Sequence, residues 1–174
     1  MNKRLFIAKI DEHYCDYLRK YDVKVPYNFD KKNRRPFIGV LFKVNNCLYF
    51  APLTSPKSKH LKMKNTIDFL KLDKGKLGAV NFNNMIPVTT KNVIKINLDV
   101  TNLDKAEKQY NQLLKSQLFW LNRNVDVLYK KSKKIYDKYV DGTLNPKIMA
   151  RCCNFTLLEK ECYNYNKEKI KCNI

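Results

Sequence analysis

A chain of 174 residues with 44% hydrophobic content can bury a sizeable core and is too apolar to remain disordered. Thirty-five lysines and arginines against 16 acidic residues leave a formal net charge of +19, a surface that seeks a polyanion, of which nucleic acid is the commonest inside cells. Apolar runs fall short of membrane-spanning length, and Leu5-Phe6-Ile7-Ala8 is broken by Lys9 and Asp11 too early for a secretory signal core.

The predicted elements begin with a strand over Leu5 to Ile10 and a short helix opened by Asp11-Glu12. That helix carries Tyr14, Tyr17, Leu18 and Tyr21 at helical spacing, a pattern that packs a helix onto a sheet, although a hydroxyl at the rim can face a ligand. The prolines and asparagines of Val25 to Pro36 mark a loop. It is intensely basic, with Lys31, Lys32, Arg34 and Arg35 following Tyr27 and Phe29, so it pairs backbone neutralisation with aromatic faces for unpaired bases.

Phe37 to Val44 reads as a strand, Asn45-Asn46 as a turn and Cys47 to Leu53 as the antiparallel partner. The hairpin brings the basic loop and the segment Thr54-Ser55-Pro56-Lys57 to one end of two paired strands. Four short strands follow, over Ile67 to Leu72, Leu77 to Phe82, Met85 to Val88 and Val93 to Leu98. So many short strands with tight turns predict a compact, strongly twisted or barrel-like antiparallel sheet.

From Leu103 the period changes: Ala106, Tyr110, Leu113, Leu114, Gln117, Leu118, Leu121, Val125, Leu128, Ile135 and Tyr139 follow three-and-four spacing, with a break at Asn122-Arg123-Asn124. Asp141-Gly142 ends this helical stretch, and Thr156-Leu157-Leu158-Glu159 has the spacing of a capping box that starts a final helix. The whole, 1–174, is expected to be one α+β domain, strand-rich over 1–100 and helical over 101–174. The six cysteines show no paired two-residue spacing, which suits a reduced, cytoplasmic chain in which Cys152-Cys153 pack the core.

The chemistry on offer is that of hydroxyls and cations. Carboxylates are scattered singly rather than clustered as two-metal nucleases need them, and four glycines in the whole chain argue against a phosphate-binding P-loop. RNA can be cut without metal if its 2′-hydroxyl is aligned on the adjacent phosphorus, which requires positioning, charge stabilisation and proton transfer. Thr54 and Ser55 can hold phosphate oxygens; Lys57, beside Arg34, Arg35 and Lys59, is a better candidate for proton exchange than His60. On residues alone, however, Thr54-Ser55-Pro56 reads first as an ordinary strand-ending turn.

Lys24-Val25-Pro26, Phe37-Ile38-Gly39, Tyr49-Phe50-Ala51-Pro52-Leu53-Thr54-Ser55-Pro56-Lys57, Met85-Ile86-Pro87 and Cys153-Asn154-Phe155-Thr156-Leu157-Leu158-Glu159 together resemble the toxins of type III toxin–antitoxin systems, the ToxN and AbiQ endoribonucleases. The matches run in family order across nearly the whole chain. The resemblance implies a Kid/MazF-like twisted β core with added helices and a metal-independent ribonuclease that leaves a 2′,3′-cyclic phosphate and needs no cofactor. It also implies an antitoxin RNA of repeated pseudoknots, cut by its own toxin and held in a protein–RNA ring, with cellular or phage RNA as the target in abortive infection.

By the same resemblance Thr54, Ser55 and Lys57 match the family's catalytic residues, and Arg35 stands where the family carries a lysine, which makes its role electrostatic. The family's loop tyrosine has no counterpart, its place falling near Lys31. The candidate RNA contacts are Lys31, Lys32, Arg34, Lys59 and His60 with the rings of Phe29 and Tyr14, the last matching a tyrosine of the family's first helix. The alternative is a non-catalytic basic protein that grips RNA at the same corner.

Overall fold

The computed structural model describes residues 4–27 and 35–171. Its strands are β1 Phe6–Ile10, β2 Phe37–Gly39, β3 Lys43–Val44, β4 Cys47–Thr54, β5 Phe69–Lys71, β6 Ala79–Asn81, β7 Ile86–Val88 and β8 Val93–Lys95. Its helices are α1 Glu12–Arg19, α2 Ser58–Lys62, α3 Lys105–Arg123, α4 Val125–Val140, α5 Pro146–Met149 and α6 Phe155–Lys171. Strands first and long helices last, this is the expected α+β arrangement.

All strand pairs are antiparallel, in the order β5-β6-β4-β2-β1-β8, with β3 and β7 added to β4. Of the two expected forms the sheet is the open one, with β5 and β8 at the ends of this path. β4 is its axis: one edge pairs with β3 and then β2, the other with β7 and then β6. Pro52 lacks an N–H at the place where the second edge passes from β7 to β6, so the ladder loses nothing there.

The strand expected over Phe37 to Val44 is two strands. Phe37 pairs with Pro52 and Lys43 with Leu48, so six steps along one side match four along the other, and the surplus around residues 40–42 is accommodated as a bulge. Gly39 is required beside it. A Cβ there would lie 2.5 Å from the ring of Phe50, which packs edge-on against Phe6 at 5.6 Å.

Local chemistry sets the helix ends. Asp11 caps α1 by accepting from the Tyr14 amide at 3.0 Å, and Asp104 caps α3 by accepting from that of Glu107 at 2.8 Å. Asn124 leaves helical geometry (φ −120°, ψ 23°) and divides α3 from α4 where the sequence predicts the break. The cap of α6 is Asn154 and not Thr156: the Asn154 side chain accepts from the Leu157 amide at 3.2 Å, because the helix begins two residues earlier, on the fully buried Phe155.

One contiguous apolar core joins the sheet to the helices. Tyr49 of β4 and Tyr136 of α4 both donate to Glu159 Oε1 of α6, at 2.6 and 2.8 Å, so one carboxylate oxygen ties sheet and helices together. The five described cysteines, Cys15, Cys47, Cys152, Cys153 and Cys162, are free and buried. No described helix is long and apolar enough to cross a membrane.

A second tie reaches across the chain: Arg151 donates twice to the buried Asp68, at 2.6 and 2.9 Å, and Thr66 adds a third hydrogen bond at 2.8 Å. Burial pushes the Asp68 carboxyl upward, but these donors outweigh it and hold it below its ordinary 3.8. Its stabilisation is therefore full above pH 3.8 and fades as pH falls further. Arg151→Ala is expected to cost about 1.5 kcal/mol in urea unfolding at neutral pH, the low end for charged hydrogen bonds because the guanidinium is half-exposed.

Candidate functional site

Register decides whether the predicted corner exists. Phe37 opposes Pro52, and the Leu53 amide donates to Pro36 O at 2.8 Å, so continuing the ladder by one residue places Arg35 level with Thr54. On its other side Thr54 pairs with Ala79 of β6. Ser55, Pro56 and Lys57 then leave the sheet, and Ser55, Lys57 and Arg35 are all exposed.

The backbone at this corner is tightly held. Thr54 Oγ1 donates to Ala79 O at 3.3 Å, while the Gln117 amide, projecting from α3, donates to Thr54 O at 3.4 Å and to Leu77 O at 2.7 Å. Gly78 passes so close beneath that a Cβ would stand 1.9 Å from Thr54 O, and its φ of +92° suits glycine. Lys57 then precedes the five-residue helix α2, an element beyond those the sequence predicts.

Charge converges on the corner from two segments. Lys57, Lys59, Lys62 and Lys64 follow one another along and after α2, all exposed. The turn around residues 73–76 packs against α2 so closely that a Cβ on Gly75 would meet His60 O at 2.7 Å. That approach brings the exposed Lys74 and Lys76 to the same side.

Two candidate RNA contacts are overturned. Tyr14 is fully buried, its hydroxyl donating to Pro87 O at 2.6 Å and its ring 5.0 Å from that of Tyr165, so it is a core residue and offers nothing to RNA at the rim. His60 is 3% exposed with its ring 5.8 Å from that of Phe69, so it supports the corner from beneath and is not part of the surface. Lys31, Lys32, Arg34 and Phe29 lie outside the described residues. Tyr27, exposed, has one face covered by the guanidinium of Arg19 at 4.2 Å.

Gln117 was visible in the sequence only as a helical-stripe residue. Its signal was there, a polar side chain in line with Leu114, Leu118 and Leu121, which a purely structural stripe does not need. Two buried side-chain polar atoms among the described residues lack partners, Gln117 Oε1 and His60 Nδ1, and both belong to residues that brace this corner. Among the described residues no three of His, Cys, Asp or Glu gather as metal ligands.

The sheet with its helical cover is that of the type III toxins: the family model described as "Toxin ToxN, type III toxin-antitoxin system" matches residues 6–163. The chain belongs to this family. It is 36% identical over 162 residues to endoribonuclease ToxN of Bacillus thuringiensis subsp. kurstaki, covering 91% of this chain and 82% of that one. A solved structure concerned with selective toxin inhibition by a non-coding RNA pseudoknot superimposes with a TM-score of 0.79 at 36% identity, over 94% of this chain and 99% of that one. The structure of AbiQ, a lactococcal anti-phage endoribonuclease of a type III system, superimposes with a TM-score of 0.81 at 27% identity, over 94% and 99% of the two chains.

Gln117→Ala removes the side-chain donor from two backbone carbonyls and is expected to lower stability by about 1–3 kcal/mol in urea unfolding. His60 titrates in the opposite sense to a paired histidine. Burial, reinforced by Lys59 and Lys57, pushes it below its ordinary 6.5, so its neutral form is favoured in the folded protein. Stability is expected to fall as pH drops below 6.5, with a shallower slope in His60→Leu, as followed by thermal unfolding across that range.

Proposed function

We propose that this protein is the toxin of a type III toxin–antitoxin system, an endoribonuclease that cuts RNA through the substrate's own 2′-hydroxyl without a metal. The observation that carries it is the ladder placing Arg35 level with Thr54, with Ser55 and Lys57 exposed immediately beyond. The naming of the relatives as endoribonucleases supports the same activity.

In the cut, the 2′-hydroxyl loses its proton to solvent as its oxygen bonds to phosphorus and the bond to the 5′-oxygen breaks, giving a 2′,3′-cyclic phosphate and a 5′-hydroxyl. Ser55 holds or activates the reacting oxygen. Thr54 orients the phosphate; its bond to Ala79 O is long enough to yield when a phosphate oxygen arrives. Arg35 offsets charge on the phosphorane, and the Lys57 ammonium gives its proton to the departing 5′-oxygen. None of these steps requires a covalent enzyme intermediate.

The partner follows from the same surface. A chain of net charge +19 in this family is held inactive by an RNA antitoxin, a repeated pseudoknot that the toxin trims into units and that closes with it into a protein–RNA ring. Released during phage infection, the toxin acts on cellular or phage RNA in the cytoplasm.

Expression in bacteria is expected to arrest growth, and Ser55→Ala and Lys57→Ala to relieve the arrest; purified Lys57→Ala should cut about 10²- to 10⁴-fold more slowly, the usual contribution of a general acid. Undiminished toxicity in both variants would remove the site assignment. Incubation of the purified protein with RNA in chelator should yield cyclic-phosphate ends, whereas retained binding without cutting would leave a non-catalytic RNA binder.

A further inference from the structure

At the other end of β4 lies a cavity of about 620 Å³, within the range of small-ligand sites. Its floor includes the buried Cys47 and Cys162, and its walls come from the Asn45-Asn46 turn and one face of α6. The strand separates it from the cleavage corner by seven residues, about 23 Å at the usual rise.

Thr89, Thr156 and Asn166 on its lining are hydrogen-bonded within the protein, but other polar groups there are unspent. Glu159 Oε1 is saturated by the hydroxyls of Tyr49 and Tyr136, while Oε2 accepts no hydrogen bond among the described residues. The side chains of Asn45 and Asn46 make none, and Lys160 and Lys167 form no ion pair, among the described residues. Tyr163 stands 60% exposed with the Lys167 ammonium 5.8 Å from its ring centre.

These groups match the parts of one nucleotide. An aromatic face accepts a stacked base, a free carboxylate oxygen accepts from adjacent N–H donors, amides serve the remaining base edge, and two ammonium groups meet phosphate. Guanine carries the adjacent donors in N1–H and its 2-amino group. We propose that this cavity takes one unpaired guanine nucleotide of a bound RNA, apart from the site of cutting. The proposal rests on RNA being the partner, because a basic rim alone would serve a free nucleotide equally well.

The test uses full-length Ser55→Ala protein, isotope-labelled and followed by the amide NMR signals of Asn45, Asn46 and Tyr163. Guanosine 5′-monophosphate should shift them saturably and about fivefold or more tighter than uridine 5′-monophosphate, with Tyr163→Ala weakening binding by a similar factor, the lower end for a base–aromatic stack. A single-stranded guanine-containing RNA should shift the same signals and displace the nucleotide. Identical shifts with inorganic phosphate alone, equal binding of both nucleotides, indifference to Tyr163→Ala in a variant with an unchanged circular dichroism spectrum, or failure of the RNA to displace would each overturn the pocket. Binding is read here without cutting, so an inactive wild-type protein would sink the ribonuclease reading and leave this one standing, and a silent nucleotide titration would do the reverse.

Discussion

The structure depends on the pairing of β4. Its eight residues meet four other strands, two along each edge, and the six from Tyr49 to Thr54 run without interruption from the Glu159 tie to the corner. A slip of one residue would exchange its faces. Phe50 would then stand where the Tyr49 hydroxyl meets Glu159, leaving that carboxylate short of a donor, and Ala51 would replace the Phe50 ring over Gly39. The register that satisfies the core is thus the register that sets Arg35 beside Thr54, and the site inherits its accuracy from packing more than 15 Å behind it, at about 3.3 Å per strand residue.

Much of this was legible because the deciding information is local. The Asp11 cap, the Asn45-Asn46 turn, the break at Asn124 and the stop at Gly142 each rest on a preference expressed within a few residues. The bulge at residues 40–42 was not legible, because it exists only relative to the register of β4, and apolar residues continue through it. The twisted antiparallel sheet was legible from strand count and turn spacing, which do not say whether the end strands meet. Helix α2 is too short, and too rich in lysine, to show a period.

The corner divides in the same way. Thr54, Ser55 and Lys57 form one contiguous string and could be singled out from it, and Arg35 followed from the hairpin. Gln117, Lys74 and Lys76 arrive from other segments and needed the fold. Tyr14 and His60 show the converse failure, since spacing places a residue on an element but does not say whether its ring points to solvent or to core; in α1 the buried face turns out to be Tyr14, Cys15 and Leu18 together.

Gly78 carries a last consequence. By letting the backbone pass almost in contact with Thr54 O, and with Gln117 spanning the same two segments, it leaves the carbonyl at the strand end little freedom. The loss of conformational entropy needed to shape the corner therefore falls on folding and not on an encounter with a ligand. A ligand meeting such a surface has only itself to order, because the protein adds no second entropic cost.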